Sequence, residues 1–143
     1  MNGYGKRVLI VEHGEDERIR LSLMLGNVGY SVHMASDEHH ALEEMKRRRF
    51  DVVVAAHRMP HINGLRLVLF GRLLWPDTPV VLLWGDDTSL SEVVEHEGPY
   101  DSLRKPYDFG ELLEIMENAI QFWPMNIDRK HRNLSGGLRD DEM

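Results

Sequence analysis

Apolar residues are distributed along this chain in two textures: compact runs, and longer stretches where they recur every three or four positions. The clearest run is Val52-Val53-Val54-Ala55-Ala56, led in by Phe50-Asp51. No polar residue alternates with it, which predicts a strand buried on both faces. Val8-Leu9-Ile10-Val11 and Pro79 to Trp84 have the same texture, and Tyr30 to Ala35 and Tyr100 to Arg104 read as two further strands. Between the runs the period changes. Leu21, Met24, Leu25 and Val28 fall at i, i+3, i+4 and i+7, the stripe of an amphipathic helix that ends at Gly29.

Ser36-Asp37 offers an N-cap for a helix from about Glu38 to Arg48. A third helix runs from Leu65 to Trp75 and stops before Pro76. Ser89 to Glu97 predicts a short fourth helix, ended by Gly98-Pro99. The last helix starts at Asp108, with Glu111 three residues later as a capping box, and Phe109, Leu112, Leu113, Met116 and Ile120 form its apolar face. Five strands alternating with five helices imply an α/β fold, a doubly wound parallel sheet covered on both sides. The pattern fades after Gln121. Residues 1–123 therefore read as one domain, and residues 124–143, polar and containing Gly136-Gly137, as a flexible tail.

Composition narrows the function. A chain of 143 residues holds one core, without room for a conventional second domain. Its 24 acidic against 17 basic residues give a formal charge of -7, which argues against nucleic acid as a partner. No apolar stretch reaches membrane-spanning length. The absence of cysteine removes disulfides and thiolate metal sites, and a cytoplasmic location is the plain expectation.

After the central strand comes Met59-Pro60-His61-Ile62-Asn63-Gly64. Pro60 fixes φ and Asn63-Gly64 suits a turn capping the next helix, so a structured loop stands at the carboxyl edge where open α/β sheets place their chemistry. This loop, the acidic residue after Val8–Val11, and Lys105-Pro106 after the fifth strand occur in that order. From about residue 6 to residue 121, the chain resembles the receiver domain of two-component response regulators. The resemblance implies a five-stranded, flavodoxin-like (CheY-like) three-layer αβα fold. In that family an aspartate four residues before the proline of the Met-Pro pair, here Pro60 of Arg58-Met59-Pro60, accepts a phosphoryl group; in this chain the position is Ala56.

The resemblance assigns the remaining site positions as well. The two acidic residues that help hold magnesium fall on Glu12 and His13, and magnesium prefers oxygen ligands, so no magnesium and no other cofactor is expected. The small hydroxyl residue ending the fourth strand falls on Trp84, too large for that role and expected to fill the phosphoryl space. The aromatic switch position falls on Ser102, an exchange of large and small that keeps volume roughly constant. Lys105 matches the phosphoryl-contacting lysine, and its expected neighbour is Glu12, in an ion pair worth about 1 kcal/mol if exposed.

His13, His57 and His61 all fall on loops at that same edge. They leave a metal or pH sensor conceivable, beside the plainer reading of exposed loop histidines. His39-His40 reads as a helix-surface pair, and Lys46-Arg47-Arg48-Arg49 as cations favourably placed at a helix C-terminus. The expected function is a stand-alone receiver without Asp-phosphate chemistry and without enzyme activity, a protein-interaction module. Its partner is a signalling protein or a second copy, through the face from Ser89 to Gln121 that the family uses for docking and dimerisation. A phosphotransfer receiver with a nonstandard acceptor, or a sensor built on the three histidines, remains the alternative.

Overall fold

A computed structural model describes residues 3–56, 64–85 and 101–122. Within them lie β1 (Arg7–Val11), α1 (Glu15–Asn27), β2 (Ser31–Ala35), α2 (Glu38–Arg47), β3 (Val52–Ala56), α3 (Gly64–Leu74), β4 (Val80–Trp84), β5 (Asp101–Arg104) and a last helix, α4 (Phe109–Phe122). The expected helix over Ser89–Glu97, the loop residues 57–63 and the tail lie outside the described residues.

The strands form one parallel sheet of order β2-β1-β3-β4-β5. Continuous apolar runs belong in its centre, and β1, β3 and β4 are buried almost end to end. Side chains alternate across the sheet and divide the core in two. Leu9, Val11, Val53, Ala55, Val80 and Leu82 pack with Ala41 and Met45 of α2 and Leu67 of α3. Val8, Ile10, Val52, Val54, Val81 and Leu83 pack with Leu21 and Leu25 of α1 and Leu112, Met116 and Ala119 of α4. The edge strand β2 is mostly half-buried or exposed.

The helix signals act as their chemistry dictates. The Asp37 carboxylate accepts from the His40 N–H at 2.7 Å and caps α2. Before α4, the Glu111 N–H donates to Asp108 Oδ1 at 2.8 Å while the Asp108 N–H donates to Glu111 Oε1 at 3.0 Å, a reciprocal capping box. Gly29, at φ 104°, turns the chain out of α1 in a conformation that glycine adopts without penalty. In the basic run, Arg47 and Arg48 reach Glu44, and Arg49 pairs with Asp77 while covering the Trp75 ring at 5.2 Å. Three of these four cations thus have partners within the molecule.

Candidate functional site

The carboxyl ends of β1 and β3 lie side by side at the centre of the sheet. Their register pairs Val11 with Ala55, so the next residues along, Glu12 and Ala56, are neighbours. Ala56 closes β3 opposite Leu83 of β4 and is 1% exposed. The residue before the Met59-Pro60 loop therefore presents a buried methyl group at the sheet edge.

Glu12 is held by the turn into α1. Its N–H donates to the Ala35 carbonyl at 3.0 Å. Its Oε2 accepts from the Gly14 N–H at 2.9 Å. Arg18, one turn into α1, donates to the carbonyls of Glu12 and His13 at 2.9 and 3.1 Å. The side chain is buried, 2% exposed, and Oε1 has no hydrogen-bond partner. The group facing it is Lys105, whose Nζ stands 3.9 Å from Oε1 and whose side chain is 34% exposed. The Glu12–Lys105 pair is therefore present, but with the acid inside the protein rather than on its surface. At 3.9 Å it is a charge contact and not a hydrogen bond.

Lys105 is positioned by the end of β5, where its N–H donates to the Trp84 carbonyl at 2.7 Å, and a cis peptide bond joins it to Pro106. The β4–β5 register pairs Trp84 with Arg104 and Leu82 with Ser102. The residue beside Trp84 is thus Arg104, whose guanidinium carbon lies 5.3 Å from the centroid of the indole ring. Ser102, two residues earlier on the same side of β5, is half-buried beside Leu82. His13 is exposed, and Gly64 is the first residue of α3. His57, Arg58, Met59, Pro60 and His61 lie outside the described residues. Among the described residues, no cluster of three histidine, aspartate or glutamate side chains could hold a metal ion. No helix among them is long and apolar enough to cross a membrane.

Two features escape the sequence. The stacking of Arg104 on Trp84 depends on strand register, which composition does not state. The second is a cleft of about 550 Å³ beside Glu12, between α1 and the β5–α4 connection. Tyr107 lines it, and burial pushes that phenol up to about 12.

Comparison with known proteins fits this geometry. Residues 8–117 match the family model described as the response regulator receiver domain. The response regulator protein PilR of Pseudomonas aeruginosa is 31% identical over 81% of this chain, which spans only 26% of that protein. The response regulator MprA of Mycobacterium sp. (strain KMS) is 36% identical over 93% of this chain and 64% of its own length. Among solved structures, the Vibrio cholerae chemotaxis protein CheY4 superposes with a TM-score of 0.71 at 28% identity, over 80% of this chain and 98% of that one. Strand order, the Glu12–Ala56–Lys105 edge and the sequence match agree: the chain belongs to the response regulator receiver domain family of two-component signalling.

Proposed function

We propose that this chain is a receiver without aspartyl-phosphate chemistry, which acts as a phosphorylation-independent protein-interaction module and catalyses no reaction of its own. The observation that carries this reading is the buried methyl group of Ala56 at the end of β3, in the position where the family keeps its acceptor carboxylate. A methyl group has no oxygen to phosphorylate.

The neighbouring residues do not fit magnesium. Among the described residues at the ends of β1, β3 and β4, Glu12 alone supplies a carboxylate, and its Oε2 is committed to the Gly14 N–H while Oε1 faces the Lys105 ammonium. His13 brings an imidazole, a poor match for a cation that demands oxygen ligands in a strict octahedron. The Glu12–Lys105 pair then serves as a local neutralising contact. Binding is assigned to the face built from β5 and α4, and the signalling partner or second copy docks there.

The test is intact mass after incubation with magnesium and a small-molecule phosphodonor, for this chain beside its Ala56→Asp variant. The expected result is no phosphoryl group on the natural chain. Gain by the variant alone would make Ala56 the decisive loss, and no gain by either would mean that His13 and Trp84 disable the site as well. A phosphoryl group on the natural chain overturns the reading.

A further inference from the structure

The cleft beside Glu12 combines a volume, a set of charges and an orphaned buried atom. Its volume of about 550 Å³ falls in the range of small-ligand pockets, roughly 300–1,000 Å³. At the sheet end it is lined by Glu12 and Lys105, and along α1 by Glu17 and Arg20, two acids and two bases. Leu21, Met24 and Phe109 supply the apolar wall. Glu12 Oε1 has no hydrogen-bond donor, although buried carboxylate oxygens are normally paired. Lys105 Nζ is too distant at 3.9 Å to supply one, and its half-exposed flexible stem is free to swing.

We propose that this cleft binds a small zwitterion with an apolar body, of which an apolar α-amino acid is the simplest. The ligand's ammonium donates to Glu12 Oε1 and supplies the missing hydrogen bond. Its carboxylate meets the Lys105 ammonium, which moves off Oε1 toward the new anion. The apolar side chain lies along Leu21, Met24 and Phe109. Charge balance favours a zwitterion over a simple cation or anion, because an amine alone would face Lys105 and an acid alone would face Glu12. Binding here would order Lys105 and the β5–α4 connection, next to the face assigned to protein partners. The inference stands apart from the loss of phosphoryl chemistry, since it needs neither Ala56 nor magnesium.

The experiment records the melting temperature of the full chain with L-leucine and L-phenylalanine, beside isoamylamine and isocaproate, which each lack one charge. Both amino acids are expected to raise it with concentration, as ligands of the folded state do. Glu12→Gln should weaken the apparent affinity about tenfold, the equivalent of one charged hydrogen bond. Met24→Trp, which fills the apolar end away from the carboxylate, should abolish the shift, and it decides the matter if Glu12→Gln fails to fold. In the unaltered protein, amide chemical-shift changes with leucine should centre on Leu21, Lys105 and Tyr107. No shift with either amino acid, shifts undiminished in the folded variants, or isocaproate binding as well as leucine would each overturn the proposal.

Discussion

Lys105 Nζ stands 3.9 Å from Glu12 Oε1, with the acid 2% and the base 34% exposed. This asymmetry decides what the pair does for stability. The carboxylate has left water, so its desolvation has to be offset by the Gly14 N–H and by the lysine charge. Lys105→Met should destabilise the fold by about 1–2 kcal/mol, less than for a fully buried pair because the lysine is partly solvated. Glu12→Gln placed on top should return part of that loss. Urea unfolding of the two single variants and the double variant measures the coupling.

Tyr30 is 5% exposed, and its hydroxyl is buried without a hydrogen-bond partner. Tyr30→Phe removes a desolvated group that receives nothing in return, so stability should rise by about 1 kcal/mol. The same burial pushes the phenol from 10.0 up to about 12. A raised folded value means that the unfolded chain loses its proton first. Stability tied to this residue is therefore complete below pH 10 and lost as pH climbs toward 12. Alkaline unfolding curves of the two proteins should differ in that window and should run parallel below it.

His33 on β2 packs edge-on to Phe50, with ring centroids 5.5 Å apart. Partial burial lowers its pKa from 6.5, and Arg48 and Arg7 add to the effect against a smaller opposing pull from Glu44. Here the unfolded chain takes up the proton first. Stability is full above pH 6.5 and declines as pH falls toward the lowered folded value. His33→Gln should flatten that part of the pH profile of the melting temperature.

The two helix caps are expected to behave alike. Asp37→Ala removes the acceptor for the His40 N–H, and Asp108→Ala breaks one half of the reciprocal pair with Glu111. Each should cost about 1 kcal/mol, additively, because the caps serve helices on opposite faces of the sheet. Asn in either position should restore most of the loss.

Arg104 over the Trp84 ring gives a smaller effect. Arg104→Ala should destabilise by about 0.5–1 kcal/mol in urea unfolding, and Arg104→Lys should restore only part of it.

The elements were legible in this sequence because their signals are local. Val52 to Ala56 reads as a buried strand from five consecutive side chains, and Asp108 with Glu111 reads as a cap from two residues three apart. The closeness of Glu12 and Lys105 came from the family resemblance, which places both at one edge of the sheet. The burial of Glu12 was not legible, because it depends on what α1 and the β5–α4 connection leave around the side chain. The placement of Arg104 beside Trp84 was not legible for a related reason, since it is set by the register between β4 and β5.

The two layers flanking the sheet differ in when their parts leave the ribosome. Ala41, Met45 and Leu67 lie in the middle of the chain, between β2 and β4, among the strands they cover. The opposite layer joins α1 to Leu112, Met116 and Ala119 of α4, residues separated by most of the chain. Until α4 has been synthesised, the row Val8, Ile10, Val54 and Leu83 lacks half of its cover. An interrupted translation product ending before Phe109 would present that apolar strip to its surroundings, so premature termination yields a chaperone client or an aggregate rather than a smaller working domain.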